Sequence, residues 1–238
     1  MTAFVIPPPA QPSVAVAGSE QRFPVHRINC IGLNYADHVR EFGRDPERSP
    51  PVFFMKPADA VVDNGAAIPY PPATNNFHYE IELVVAMARG GRDIAPEQAL
   101  ERVFGYAAGN DLTRRDLQSA AKARGEPWDS SKGFDDSAPV AAIRPAAAGH
   151  VARGRIWLKV NDELRQESDV SRMVWDVPHI IAALSRLYEI RAGDLIFTGT
   201  PSGVGPLRPG DRLEGGIEGL EVLRNTITAP ASAAESAR

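Results

Sequence analysis

The stretch HYEIELVVAM, residues 78–87, carries the clearest strand pattern of the chain. Side chains alternate along a strand, so His78, Glu80 and Glu82 share one face while the odd-numbered residues share the other. The apolar residues then continue without a break to Ala88, which is typical of a strand buried on both faces. This stretch therefore predicts a buried strand that carries two carboxylates.

Further strand patterns recur between turn residues, and helical patterns are fewer and shorter. Strands are predicted over residues 27–31, 51–55, 80–87, 103–110, 155–160 and 194–198. Helices are predicted over residues 34–43, 96–103, 113–124 and 176–187. Because the helices are inserted among dominant strands without a regular alternation, the pattern favours an α+β fold.

The composition is that of one globular domain. The chain has 238 residues, of which 43% are hydrophobic and 24% charged, enough apolar material for a sizeable core. The proline-rich residues 1–26 predict an extended N-terminal arm, and residues 229–238 lack periodic apolar positions and predict a flexible tail. Residues 27–228 are expected to form a single catalytic domain.

Charge and cysteine content exclude several classes of function. Lys and Arg number 26 against 30 Asp and Glu, a net charge of −4, so we expect neither a nucleic-acid nor a membrane partner. The longest apolar runs fall far short of the roughly 18 residues that span a bilayer. The single cysteine, Cys30, excludes an intrachain disulfide and suits a reducing compartment, which predicts a cytoplasmic protein. No glycine-rich nucleotide motif is present.

The two glutamates of the central strand suggest a metal site. Two residues apart on a strand, Glu80 and Glu82 stand about 6.6 Å from each other. An isolated pair of this kind often lies on a solvated strand face, but burial and mutual repulsion would call for a cation here. Asp111, at the end of the 103–110 strand, would supply a third ligand or serve only as a helix-entry acid. Oxygen ligands suit Mg²⁺, Mn²⁺ or Ca²⁺ better than Zn²⁺.

Two predicted helices carry further candidate catalytic or binding residues. In the 34–43 helix, His38 and Glu41 lie three residues apart and share a stripe, so the carboxylate could stabilise His38 as a general base. The alternative is an ordinary surface pair. Arg115 and Gln118 share a face of the 113–124 helix and can point back toward Asp111.

Two lysines and one loop complete the candidates. The chain has only four lysines, and the proline or glycine beside Lys56 and Lys132 predicts loops there, which favours a role for a compact charge at both positions. The loop TGTPSGVG, residues 198–205, offers hydroxyls and amides either to a carboxylate or to itself.

Taken together, these segments resemble the fumarylacetoacetate hydrolase family. The matching motifs, in chain order, are IGLNY (31–35) with His38 and Glu41, FMKP (54–57), YEIEL (79–83), GND (109–111) with RDLQ (115–118), KGFD (132–135) and TGTPSGVG (198–205). They extend over nearly the whole chain. One departure is His78, where many members carry Asp, which leaves open whether position 78 tunes the choice of metal or substrate.

The resemblance implies a mixed β-sandwich roll that forms homodimers and holds one Mg²⁺ or Mn²⁺ per chain. It implies metal ligands at Glu80, Glu82 and Asp111. The catalytic residues it implies are His38, Glu41, Lys132 and Gln118, the first two on a helix that orders over the substrate. The substrate-binding residues it implies are Lys56, Arg115 and Thr200.

Within the family, the chain is most similar to the fumarylpyruvate hydrolases of gentisate degradation. These enzymes cleave a 3-acylpyruvate, a 2-oxo acid, to fumarate and pyruvate. We expect His38, oriented by Glu41, to activate the attacking water, and Lys132 with Gln118 to stabilise the oxyanion. The alternative on the same scaffold is an oxaloacetate decarboxylase or a 2-oxo acid isomerase. More distant alternatives are an Fe(II) oxygenase and a binding protein without activity.

Overall fold

The computed structural model describes residues 4–35 and 51–231. Its strands are β1 (Ser13–Ala15), β2 (Arg22–Pro24), β3 (Arg27–Gly32), β4 (Val52–Lys56), β5 (Val61–Asp63), β6 (Ala67–Pro69), β7 (Phe77–Tyr79), β8 (Ile81–Met87), β9 (Val103–Asn110), β10 (Thr113–Arg114), β11 (Ala138–Val140), β12 (Arg144–Pro145), β13 (Arg155–Val160), β14 (Glu163–Asp169), β15 (Asp194–Phe197), β16 (Gly205–Pro206), β17 (Arg212–Ile217) and β18 (Leu223–Thr228). Its α-helices are α1 (Pro96–Ala99), α2 (Arg115–Arg124), α3 (Asp129–Lys132) and α4 (Val177–Leu187). Single 3₁₀ turns cover Ala58–Ala60, Leu100–Arg102, Ala146–Ala148 and Val170–Arg172.

The strands form one large mixed sheet and three smaller sheets. The large sheet has the order β4-β3-β15-β8-β9-β11-β5, and β12 adds to β9. Most neighbours run antiparallel, whereas β15 with β3 and β11 with β5 run parallel. A five-stranded sheet has the order β14-β13-β17-β18-β6, and a three-stranded sheet has the order β10-β7-β16. Near the N-terminus, β1 and β2 form an antiparallel hairpin.

The central strand β8 is covered on both faces, as its sequence predicted. All seven residues of β8 are buried. Ile81, Leu83 and Val85 join the core that also contains residues of the five-stranded sheet, such as Leu158. Val84, on the opposite face, belongs to a second core that includes the N-terminal hairpin. Glu82 shares the face of Val84, so its carboxylate is held inside the fold.

Helix ends follow their capping residues. The side chain of Asp176 accepts a hydrogen bond from the backbone N–H of His179 and caps α4, whose second residue is Pro178. Gly125, with φ +69°, ends α2 in the left-handed conformation.

The fold class is the predicted one, mostly β with a curled mixed sheet and few short helices.

Some helices and strands begin or end at other residues than the sequence predicted, because their backbone groups form other hydrogen bonds. Helix α2 begins at Arg115, since Thr113 and Arg114 pair with β7 as strand β10. The 96–103 helix continues beyond Ala99 only as a 3₁₀ turn. Tyr35 forms an isolated antiparallel bridge with Met173 instead of a helical turn, and the rest of the predicted 34–43 helix lies outside the described residues.

Among the described residues, no helix has the length and apolar character required to cross a membrane.

Candidate active site

The site is built where two sheets meet at Glu80. This residue lies between β7, in the three-stranded sheet, and β8, in the large sheet. Its backbone N–H donates to Oδ1 of Asn110 at 2.7 Å, and its carbonyl accepts from the N–H of Asp111 at 2.8 Å. These bonds replace regular strand pairing, so β8 begins at Ile81, one residue later than predicted. They also bring the end of β9 beside Glu80.

Three carboxylates converge at this junction. One oxygen each of Glu80, Glu82 and Asp111 lies within 4.8 Å of the others. The exposed fractions of these residues are only 6%, 1% and 1%. A set of three hard oxygen donors this close together fits Mg²⁺ or Mn²⁺. Burial, followed by the charges of Asp111 and Glu80, raises the pKa of Glu82 well above its usual value. A bound cation would offset that repulsion.

Two buried ammonium groups neutralise part of the cluster. Nζ of Lys132 lies 2.8 Å from Oε2 of Glu80, 2.6 Å from Oδ2 of Asp111 and 2.7 Å from Oγ1 of Thr113. Burial lowers the pKa of Lys132, but the two facing carboxylates outweigh it, so the net shift is upward. Lys132 is thus held charged between two of the three carboxylates.

Lys56 approaches Asp111 from another side. Its Nζ lies 2.8 Å from Oδ1 of Asp111 and also donates to the carbonyls of Leu112 and Lys132, at 3.1 and 2.5 Å. Its side chain is fully buried, and burial lowers its pKa. Lys56 is therefore placed to support Asp111 and does not border the open space of the site.

The guanidinium of Arg115 is held from several sides. It donates to Oε1 of Glu80 and, at 2.5 Å, to Oε1 of Gln118. Its Nε faces Nδ1 of His78 at 3.4 Å, and Nε2 of His78 lies 2.8 Å from Oδ1 of Asn76. Burial and the neighbouring Arg115 lower the pKa of His78 to about 4. His78 is therefore neutral and orients Arg115.

The 198–205 loop reaches one of the three carboxylates. The N–H of Gly199 donates to Oε2 of Glu82 at 2.7 Å. Gly199 has φ +91°, and a Cβ there would lie 2.7 Å from Cβ of Asn34, so both conformation and space require glycine. Thr200 follows, and its hydroxyl accepts a hydrogen bond from Nε2 of Gln166 at 2.8 Å.

A cleft opens at the carboxylates. Its lining combines the site's charged and polar groups with an apolar wall, namely Ile31, Gly32, Leu33, Phe54, Glu80, Glu82, Asp111, Arg115, Gln118, Lys122, Trp128, Lys132 and Thr200. Of the predicted site residues that the structure describes, Lys56 is not part of this lining. His38 and Glu41 lie outside the described residues.

Lys122 and Trp128 are two lining residues that the sequence prediction missed. Lys122 follows Gln118 by four positions on α2, and this spacing would have placed it on the same helix face. Trp128 lies in the link between α2 and α3 and has no comparable pattern in the sequence, so only the folded chain places it at the cleft.

Comparison with protein families matches residues 27–228 to the family described as fumarylacetoacetate (FAA) hydrolase, C-terminal. A fumarylpyruvate hydrolase from Ralstonia sp. is 43% identical over 175 residues, which are 74% of this chain and 91% of that protein. The mitochondrial oxaloacetate tautomerase of Homo sapiens is 42% identical over 204 residues, 85% of this chain and 92% of that protein.

A solved structure of a fumarylpyruvate hydrolase is also similar to this chain. The crystal structure of fumarylpyruvate hydrolase from Pseudomonas aeruginosa in complex with Mn²⁺ and pyruvate matches with a TM-score of 0.93 and 49% identity. The match covers 95% of this chain and all of that one.

Proposed function

The chain belongs to the fumarylacetoacetate hydrolase family, and we propose that it hydrolyses the carbon–carbon bond of a 3-acylpyruvate, fumarylpyruvate to fumarate and pyruvate. The observation that carries the proposal is the buried triad of Glu80, Glu82 and Asp111, which lies beside an open cleft. Lys132 bridges Glu80 and Asp111. The Pseudomonas aeruginosa relative, crystallised with Mn²⁺ and the expected product pyruvate, supports it.

The triad would hold one divalent cation, Mg²⁺ or Mn²⁺. When bound, the cation would supply Lewis acidity and a template for the carboxylate and 2-keto oxygens of a 2-oxo acid. Arg115 and Thr200 line the same cleft and would hold the substrate carboxylate. The guanidinium suits that task because it can donate two parallel hydrogen bonds to a carboxylate.

Hydrolysis adds water to the C4 carbonyl of the acylpyruvate and breaks the C3–C4 bond. The electron pair of that bond leaves with the pyruvate fragment, which takes up a proton at C3. Lys132 is charged and buried beside the cleft, so it would stabilise the negative oxygen that develops at C4, together with the amide of Gln118. The sequence assigns removal of the water proton to His38, oriented by Glu41.

A second candidate is isomerisation or decarboxylation of oxaloacetate. The human relative, an oxaloacetate tautomerase, is as similar in sequence as the Ralstonia hydrolase. A tautomerase needs a proton donor and acceptor at C3 but no attacking water, and the same cleft could accommodate that chemistry. The two reactions would use the same lining residues and differ in whether water attacks the substrate.

One assay separates them. Purified protein is given fumarylpyruvate, and pyruvate and fumarate are measured after treatment with EDTA and after Mg²⁺ or Mn²⁺ is restored. The proposal expects equimolar products that disappear with EDTA and return with either metal. In parallel, the protein is given oxaloacetate, and its enol–keto interconversion and pyruvate release are followed. Turnover of oxaloacetate alone would transfer the function to the second candidate.

The proposal includes a cytoplasmic homodimer. Light scattering during gel filtration should then give twice the chain mass of 25.7 kDa. A single-chain mass at micromolar concentration would contradict the dimer and leave the proposed reaction unaffected.

A further inference from the structure

A buried amide on the edge strand of the five-stranded sheet reaches the 198–205 loop. Gln166 of β14 is only 1% exposed, whereas the residues on either side of it are exposed. Its Nε2 donates to Oγ1 of Thr200 at 2.8 Å and to the carbonyl of Pro201 at 2.9 Å. Its Oε1 accepts from the backbone N–H of Ile81 at 3.1 Å, where β8 begins. Gln166 therefore links the five-stranded sheet to the loop and to the large sheet.

An irregularity of β14 turns this side chain inward. Gln166 and Leu164 lie opposite neighbouring residues of β13, although Arg165 stands between them in the chain, so Arg165 is the extra residue of a bulge. A bulge of this kind re-aims the side chains next to it. The loop approaches the bulge closely, since a Cβ at Gly203 would collide with the carbonyl of Arg165.

Two backbone groups fix the orientation of the Gln166 amide. The N–H of Ile81 can only donate and the carbonyl of Pro201 can only accept, so Oε1 faces Ile81 and Nε2 faces Pro201. Nε2 is therefore also the atom that faces Thr200, and it donates to the hydroxyl oxygen. A hydroxyl that accepts with a lone pair directs its own proton away from that donor. Because Thr200 lines the cleft, this proton can be donated to a ligand there.

We propose that Gln166 is a positioning residue for substrate binding, which holds the Thr200 hydroxyl as a donor to the carboxylate of the 2-oxo acid. The inference deepens the proposed function and rests on it, since it takes Thr200 as a group that holds the substrate carboxylate. It gives a role in binding to a residue that does not itself line the cleft.

The test is a double-mutant cycle that compares Gln166→Met in the wild type and in Thr200→Val. Calorimetry measures the Kd of pyruvate for the Mn²⁺-loaded protein, and KM and kcat for fumarylpyruvate are measured in parallel. In the wild type we expect Gln166→Met to raise the Kd and the KM about 3–10-fold, the range for one lost hydrogen bond. We expect kcat to stay within about twofold, because the carboxylate contact is made equally in the bound substrate and the transition state.

In Thr200→Val, the same substitution should change the Kd by less than about twofold, because no hydroxyl remains to be positioned. In Thr200→Ser, which keeps a hydroxyl, Gln166→Met should again raise the Kd about 3–10-fold. A purely structural role of Gln166 would give the same change in all three backgrounds.

Gln166→Glu is the second variant, for use where thermal unfolding shows that Gln166→Met does not fold. It keeps the outline of the side chain and an oxygen that accepts from the N–H of Ile81. An ionised carboxylate has no proton to donate, so it would turn the Thr200 hydroxyl toward itself and raise the Kd of pyruvate. Its repulsion of pyruvate acts equally in Thr200→Val, so the cycle separates that repulsion from the effect on the hydroxyl.

Asn225→Leu is the matched control. Asn225 is a buried amide on β18 of the same sheet, and its Nδ2 also donates to two acceptors, the carbonyls of Asp63 and Ala66. It does not line the cleft, so its substitution should lower the Tm and leave the Kd of pyruvate unchanged.

The outcomes separate the inference from the function beneath it. If the Gln166 variants raise the Kd equally with and without the Thr200 hydroxyl, or leave it unchanged, the inference is wrong, and hydrolysis by the wild type keeps the proposed function. If the wild type binds pyruvate but does not hydrolyse fumarylpyruvate, the proposed function fails and the Kd values still decide the inference. If it does neither, both fail.

Discussion

The backbone N–H of Asp111 donates to the carbonyl of Glu80 at 2.8 Å, so the two residues face each other at the ends of neighbouring strands. Their carboxylates lie close together beside this bond. Glu82, the second residue of β8, follows Glu80 by two positions and completes the triad. The candidate metal site is therefore positioned by main-chain pairing within the sheets.

Replacing Glu82 by Gln should weaken metal binding and stabilise the metal-free protein. The substitution removes a buried carboxylate whose ionisation is opposed by burial and by two like charges, while the N–H of Gly199 keeps an oxygen acceptor. We expect the Mn²⁺ affinity to fall by at least about 100-fold, because even supporting residues of metal sites contribute about 10–100-fold. Isothermal titration calorimetry and thermal unfolding in EDTA measure the two effects.

The exposed Glu167, which pairs with Arg155 on the far sheet, supplies the control for that experiment. Glu167→Gln should leave Mn²⁺ affinity unchanged. Wild-type affinity in Glu82→Gln would remove Glu82 from the ligand set.

Replacing Lys132 by Met should destabilise the metal-free protein and enlarge the stabilisation that Mn²⁺ provides. Loss of the ammonium leaves Glu80 and Asp111 buried with less compensating charge, an effect of about 3–5 kcal/mol for a broken buried ion pair. A divalent cation would replace the lost charge, so the rise in Tm on adding Mn²⁺ should exceed that of the wild type. Even with Mn²⁺ bound, Lys132→Met should not hydrolyse acylpyruvate.

Two results would count against this account of Lys132. One is an equal Mn²⁺-induced rise in Tm for Lys132→Met and the wild type, which would mean that metal and lysine do not share the carboxylates. The other is retained hydrolysis, which would reject Lys132 as the oxyanion partner.

The sequence predicted the elements that carry the site better than the contacts within it. Alternation along β8 correctly placed Glu82 on the face opposite Leu83, because strand periodicity needs no long-range information. The buried position of Lys56 beside Asp111 depends on its contacts with residues distant in the sequence, namely Asp111, Leu112 and Lys132, which no local pattern encodes. The same holds for Trp128, whose place at the cleft is set by packing against Phe54.

Replacing His38 by Ala should abolish hydrolysis and leave Mn²⁺ binding intact. The role we propose for His38 is removal of the water proton, a step whose loss lowers rates by about 10²–10⁴-fold. His179→Ala serves as the control, because His179 is exposed, pairs with Asp176 three residues away and does not line the cleft. Steady-state kcat with parallel calorimetry gives both readouts, and near-normal kcat in His38→Ala would rule out this base.

Replacing Asp116 by Asn should reduce stability at neutral pH and much less in acid. Burial raises the pKa of Asp116, but hydrogen bonds from the Thr74 hydroxyl and the N–H groups of Asn75 and Leu117 outweigh it and lower the pKa overall. Because the pKa of Asp116 is lower in the folded protein, its charge stabilises the fold at pH values above the unfolded-state pKa of about 3.9. That contribution is lost as the pH falls through the folded-state pKa.

We expect Asp116→Asn to lose about 1–2 kcal/mol of unfolding free energy at neutral pH, the scale of one or two hydrogen bonds to a charged group. Urea unfolding from pH 7 to pH 3 should show the gap between variant and wild type closing. The highly exposed Asp162 serves as reference through Asp162→Asn. A gap that stays constant with pH would show that the Asp116 charge does not contribute.

Replacing His78 by Ala should weaken substrate binding more than turnover. The imidazole is neutral, with Nε2 toward Asn76 and Nδ1 toward Nε of Arg115, so its loss loosens a guanidinium that Gln118 still holds. We expect KM to rise about 3–10-fold while kcat stays within about twofold of the wild type, on the scale of one long hydrogen bond to a charged group.

Asn76→Ala should give a smaller rise in KM, because Asn76 acts on Arg115 through His78. The double variant should then show less than the sum of the two free-energy changes, since the second substitution has no remaining partner to disturb. Additive effects on KM would mean that Asn76 and His78 act on the site independently, and an unchanged KM in His78→Ala would mean that Arg115 needs no orientation from position 78.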